Sequence, residues 1–340
     1  MAKPSAMIFG CRRGQLSAAE AQFFREADPW GFILFGRNIE CPDQLRRLTG
    51  SLRESVGRAA PILIDQEGGR VARMGAPHWT EWDNALPFVE TLPKKARVKA
   101  MRLRYHAIAQ ELRACGIDVN CAPMADLAGP NTHPQIRHRC YSTDPVEVAA
   151  LGRAVAEGLC AGGVLPVLKH APGHGRTPLD SHVDLPVVSA DRDSLEATDF
   201  VPFAALADLP FVMTSHIVFS ALDPDWPVTL SAAAIRYLRG TLGIGGLMMT
   251  DDIAMGALKM PLEQRVTGAL AAGCDVVLHC NGDAAEMELV AAHTPELAGV
   301  AADRAQAALN QRDRMTPDEV SIPNILEQLR TLQTEVNHAR

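Results

Sequence analysis

Residues 61–70 read PILIDQEGGR and residues 246–252 read GLMMTDD. In each, a short unbroken apolar run ends in carboxylates. Strands buried on both faces read as continuous apolar runs, and parallel sheets are their usual setting. Further runs of this kind recur along the chain, so that the full set is 6–11, 31–35, 61–64, 117–122, 165–168, 211–214, 246–250 and 274–279. Helical patterns separate them. Ser17 and Glu20 are spaced as a capping box at the head of SAAEAQFFREA. Pro42 opens PDQLRRLTGSLRES at the position where a missing N–H costs nothing. A long helix is expected over 93–115, stopped by Gly116, and another from Thr143-Asp144-Pro145 to Gly162-Gly163. Ser231 can cap AAAIRYLRGTLG, PLEQRVTGALAAG leads into the eighth run, and the tail from Pro323 reads as helix.

Alternating buried strands and helices mean βαβ units and a parallel sheet. Eight of them point to a closed (β/α)8 TIM-type barrel of the α/β class. The rival is an open doubly wound sheet, which usually carries a glycine-rich turn after its first strand. Here the first run is followed by Cys11-Arg12-Arg13-Gly14, which is not that turn. With no low-complexity linker and no shift of composition, one domain over residues 1–340 is expected.

The barrel reading makes a demand: reacting groups belong at the C-terminal ends of strands. Strand three runs into Asp65-Gln66-Glu67-Gly68-Gly69-Arg70, strand five into Lys169-His170, strand six into Ser215-His216 and strand seven into Asp251-Asp252. Two loops are long. One follows strand four as far as Ser142 and holds Asp126, Arg137 and Arg139. The other, residues 171–188, reads APGHGRTPLDSHVDLPVV. Its glycines and prolines exclude a helix, so His170 and His174 are not a helical i, i+4 metal pair. A long glycine-hinged loop above a barrel mouth reads as a lid or binding loop, and 171–188 is expected to be the most mobile part of the site.

Composition excludes other classes. The chain is 47% hydrophobic and 21% charged with net charge −7, so it lacks the basic footprint of a sequence-independent nucleic-acid binder. Its eight cysteines form no C-x-x-C pair and read as reduced core residues. The N-terminus MAKPSAMIFGCRRG lacks the apolar stretch of a secretory leader, and no run approaches the roughly 18 residues that span a bilayer. A cytoplasmic monomer without membrane contact, metal or cofactor is expected.

Three segments, ILIDQEGGRVARM (62–74), KHAPGHGRTPLDSH (169–182) and LMMTDDIAM (247–255), resemble the signature segments of family-3 glycoside hydrolases. Within that family the chain is most similar to the short single-domain β-N-acetylglucosaminidases of bacterial peptidoglycan recycling. The resemblance extends from about residue 6 to 281, through Phe35-Gly36-Arg37-Asn38 and AGCDVVLHCN. It implies a retaining exo-β-N-acetylglucosaminidase acting on muropeptides. Asp251 matches the nucleophile, His182 the acid/base and Asp180 its dyad partner. Asp65 matches the carboxylate that holds sugar hydroxyls, and Arg73, Arg139, Lys169 and His170 match substrate-binding positions. Ala171 departs from the family, which usually has a bulky apolar residue there.

The chemistry is coherent without the name. Retaining cleavage needs a nucleophile below the anomeric carbon and a proton donor beside the leaving oxygen. An imidazole with an ordinary pKa near 6.5 can give and take a proton around neutrality, and a carboxylate such as Asp180 would fix its tautomer. Arg73, Arg139 and Lys169 can pair with Asp65 and Glu67 and still reach substrate, and His216 is expected to line the pocket. Asp252 could repel charge on Asp251 or point into the barrel wall. A metal-dependent hydrolase would need converging ligands, with His170, His174, His182 and Asp251 as candidates, but no H-x-H lies on an early strand. A binding protein on a dead scaffold would tolerate loss of a reacting residue, and none is lost. A phosphorylase, or another β-glycosidase using the same residues, stays open.

Overall fold

The structure is a computed structural model and describes residues 3–177 and 184–334. Each of the eight apolar runs forms a barrel strand. They are β1 (Ser5–Gly10), β2 (Pro29–Leu34), β3 (Ile62–Ile64), β4 (Val119–Asn120), β5 (Leu165–Ala171), β6 (Phe211–Thr214), β7 (Leu247–Asp252) and β8 (Val276–His279). All neighbours pair in parallel, and β1 closes the ring by pairing with both β2 and β8. The fold is the (β/α)8 barrel that the sequence pattern demands.

Continuous burial is explained by two separate cores. Ile8, Leu63, Val119, Val167, Phe211, Met249 and Leu278 point into the barrel. Met7, Phe9, Phe32, Ile64, Leu168 and Val212 point outward against the helices. The floor is plugged by the segment after β8: Leu297, Ala305 and Ala308 join the interior cluster, and the 295–297 backbone hydrogen-bonds to Pro4 and Ala6.

Helices fall where caps and breakers put them. Ser17 accepts from the Glu20 N–H at 3.1 Å to open Ala18–Ala27. The capping box is only half made, because the Glu20 carboxylate turns to the Arg12 N–H instead. Pro42 starts Pro42–Val56, Asp144 caps Pro145–Ala161, and Ser231 caps Ala232–Gly240. Lys94–Ala114 packs against Pro145–Ala161 and against the C-terminal helix Ile322–Thr334.

Three features differ from the sequence reading. Strand β5 continues through Lys169, His170 and Ala171, and β7 through Asp251 and Asp252, so the polar residues sit in the strand tips. A parallel two-stranded ribbon, Val187–Val188 with Val218–Phe219, was not foreseen, since two residues are too few to show a pattern. Helices Ala284–Ala292 and Gly299–Arg314 also follow β8. All eight cysteines are free. Among the described residues, no helix is long and apolar enough to cross a membrane.

Candidate active site

The strand tips β3, β4 and β5 carry a lattice of ion pairs. Lys169 Nζ lies 2.8 Å from Asp65 and 2.6 Å from Glu67, and it is almost wholly buried. Arg139 grips Glu67 with two hydrogen bonds, of 3.0 and 2.8 Å. Arg73 reaches Asp65 at 3.3 Å and lies over the Phe35 ring. Burial opposes ionisation of both carboxyls, but the adjacent cations outweigh it. Lys169 and Arg73 hold Asp65 well below the usual carboxylate range, and Arg139 and Lys169 bring Glu67 to about 2. Burial works against the Lys169 charge too, yet Asp65 and Glu67 raise its pKa. Asp65, Glu67, Lys169 and Arg139 are therefore charged at neutral pH.

His170 is set differently. Its Nδ1 lies 2.7 Å from Asp126, which also accepts the His174 N–H at 2.6 Å. A carboxylate on Nδ1 fixes the orientation of the ring. Burial lowers the pKa of His174 to about 4, so it stands neutral beside this pair.

At the tips of β6, β7 and β8 the main chain does the holding. Asp251 Oδ1 accepts the Asp252 N–H at 2.8 Å. Asp252 Oδ1 accepts from the N–H groups of Ala254 and Cys280, which ties β7 to the end of β8. Burial raises the Asp252 pKa. His216 Nε2 lies 3.0 Å from the Asp252 carbonyl and Nδ1 lies 2.8 Å from Thr229 Oγ1. Burial lowers the His216 pKa, which fits a neutral ring donating from Nε2.

The two halves face one cavity of about 250 Å³. Asp65, Arg73, Arg139, Lys169, His170 and Asp251 all line it. Met213, Leu278 and Ile33 form its apolar base. It is a pocket with carboxylates on both sides, Asp65 and Asp251, flanked by cationic and imidazole hydrogen-bonding groups. Such a set can bind a polyol and attack it. The Glycosyl hydrolase family 3 N terminal domain matches residues 12–310.

The chain belongs to glycosyl hydrolase family 3.

Its curated relatives are β-hexosaminidases. That of Alkalilimnicola ehrlichii is 38% identical over 304 residues, 85% of this chain and 84% of the relative. That of Xylella fastidiosa is 38% identical over 286 residues, 81% of this chain and 83% of the relative. Among solved structures, NagZ from Neisseria gonorrhoeae, in complex with N-trifluoroacetyl-D-glucosamine, superposes with a TM-score of 0.82 at 27% identity, covering 98% of each chain. The protein is a glycoside hydrolase of the β-hexosaminidase type.

In this family-3 hydrolase the expected site residues divide into three groups. Asp65, Arg73, Arg139, Lys169, His170 and Asp251 come together in the cavity. His216 does not line it: the ring sits behind Asp252, because its two nitrogens are engaged by Thr229 and the Asp252 carbonyl. Asp180 and His182 lie outside the described residues. The loop that carries them is firmly seated where it is described. Residues 171–175 are buried, Thr132 Oγ1 donates to the Gly175 carbonyl, and the His133 N–H donates to Thr177 at 3.1 Å. A Cβ at Gly175 would collide with the Leu127 carbonyl, so this glycine serves close packing rather than a hinge.

The sequence reading missed several contributors. Asp126 was seen only as a loop carboxylate, and its hold on His170 joins the loop after β4 to the tip of β5. Gln66 accepts the N–H groups of Arg73 and Met74 and so folds the Arg73 loop back over Asp65. Arg70, His133 and Gln135 line the cavity, Arg70 from the loop after β3 and the other two from the start of the short helix Pro134–Arg137.

Proposed function

We propose that this hydrolase removes terminal β-linked N-acetylglucosamine from peptidoglycan-derived muropeptides with retention of configuration. The observation that carries this reading is the cavity. At about 250 Å³ it falls just below the roughly 300 Å³ at which pockets begin to admit drug-sized ligands. One sugar ring fits such a space and a chain does not, which favours exo action.

Asp65, Arg73, Arg139, Lys169 and His170 orient the ring through its hydroxyl groups. Asp251 attacks the anomeric carbon as the glycosidic C–O bond breaks, and the departing oxygen takes a proton from His182. The glycosyl-enzyme is then opened by water, which gives a proton back to His182 as it attacks the same carbon. Asp180 fixes the His182 tautomer. Two inversions at one carbon return the β-anomer.

A panel of p-nitrophenyl glycosides tests the substrate, run with and without phosphate. The expected result is selective release from the N-acetyl-β-glucosaminide at a rate indifferent to phosphate, with the β-anomer of the free sugar formed first by NMR. Release that needs phosphate would make the enzyme a phosphorylase. An α-anomer formed first would remove the covalent step.

A further inference from the structure

Arg104 is a fully buried arginine in the middle of helix Lys94–Ala114. Among the described residues it has no carboxylate within ion-pair distance. Its guanidinium lies 4.9 Å from the centroid of the Phe88 ring and 5.4 Å from that of Trp82. Nη2 donates to the main-chain carbonyls of Glu67 at 3.1 Å and Asp83 at 2.5 Å, while Nε and Nη1 have no hydrogen-bond partner among the described residues. Burying a cation without a counter-charge is costly, so its retention calls for a reason.

The neighbours supply one. Tyr105, next on the helix, donates its hydroxyl to the same Glu67 carbonyl at 3.1 Å. That hydroxyl lies 3.4 Å from Tyr141 Oη, which accepts the Met124 N–H beyond β4. Tyr141 stands two residues after Arg139. One cluster therefore grips the Glu67 main chain and, through Tyr141, the chain just after Arg139, and Glu67 and Arg139 form a bidentate pair whose arginine lines the cavity. Gly68 and Gly69 fit the same cluster. Both have positive φ, 93° and 58°, and a Cβ at Gly68 would strike the Arg104 guanidinium.

We infer that Arg104 and Tyr105 are positioning residues for the sugar site: they fix the Glu67 carbonyl so that its carboxylate meets Lys169 and Arg139 in the arrangement that binds substrate. Neither residue lines the cavity, and both act through Glu67. This rests on the sugar-binding role proposed above for that lattice.

The test is a mutant cycle on the full chain, read by kcat and KM on the p-nitrophenyl N-acetyl-β-glucosaminide. Arg104→Met should lower kcat/KM about tenfold, chiefly through KM, and Tyr105→Phe about threefold, each the scale of one or two lost hydrogen bonds. On a Glu67→Gln background either change should cost less than about twofold, because residues acting through one group are not additive. Arg104→Lys should restore part of the loss. Tyr105→Phe is nearly isosteric and keeps the cycle readable if Arg104→Met fails to fold. Variants that lose thermal stability but keep kcat and KM within twofold of wild type would overturn the inference, as would full additivity with Glu67→Gln. A wild type silent on this glycoside counts against the substrate reading instead and takes this proposal with it. An active wild type with unmoved variants counts against Arg104 and Tyr105 alone.

Discussion

The two halves of the mouth hold their carboxylates by opposite means. On the β3–β5 side, Asp65 and Glu67 are clamped by Lys169, Arg73 and Arg139. On the β6–β8 side, Asp251 and Asp252 rest on main-chain N–H groups, with a neutral His216 behind them. A carboxylate bound tightly to cations is a poor nucleophile and a rigid acceptor, which suits a group that grips hydroxyls. One that accepts from a main-chain N–H, as Asp251 does, is oriented without a neighbouring cation being required for it. Under the proposed function, this division separates binding from reaction electrostatically, although Asp65 and Asp251 line one cavity.

Replacing the proposed nucleophile should show the largest effect. Asp251→Asn is expected to cut kcat on the order of 10⁴-fold, as loss of a nucleophile does elsewhere, while the melting temperature stays near wild type. A variant that keeps a tenth of kcat would break the division. His182→Ala should come next, slowing substrates with poor leaving groups by about 10²–10⁴-fold and activated aryl glycosides far less. Equal losses on both would mean that His182 places substrate rather than donates a proton.

Lys169→Met should behave in the opposite sense to Asp251→Asn. It leaves the buried Glu67 and the partly exposed Asp65 short of a cation, so stability should fall by about 3–5 kcal/mol along with activity. Unchanged denaturant unfolding would show that the lattice does not depend on its lysine. The acid limb sharpens the same point. Glu67 titrates near 2 when folded and near its ordinary 4.5 when unfolded. Its contribution is thus complete above about pH 4.5 and lost as pH falls toward 2. The stability gap between wild type and Glu67→Gln should shrink over that window, and a constant gap would contradict the lattice. The smallest effect is expected at His216. His216→Leu should lower kcat about three- to tenfold with KM little moved, and His216→Gln, which keeps a donor for the Asp252 carbonyl, should recover most of it. A rise in KM alone would return His216 to the cavity wall.

The barrel was legible because strands buried on both faces leave continuous apolar runs, and because Asp65, Lys169 and Asp251 interrupt those runs at their tips. What the tips could not reveal was which way a side chain turns. His216 follows the end of β6 by two residues and Asp65 that of β3 by one, yet the His216 ring lies behind the site and the Asp65 side chain lines it. Pairings between distant segments were hidden for a related reason. Asp126 meets His170 only once strands four and five lie side by side, and Arg104 sits in a helix whose pattern gives no sign that a cation is buried. Asp180 and His182 were read from the resemblance alone.

The division of labour stands or falls on which carboxylate reacts. Incubation with a slow fluorinated N-acetylglucosaminyl donor, followed by proteolysis and tandem mass spectrometry, answers this directly. A single adduct on Asp251, lost on prolonged incubation, is the predicted result. An adduct on Asp252 or Asp65, or no adduct while the donor turns over, would contradict the account.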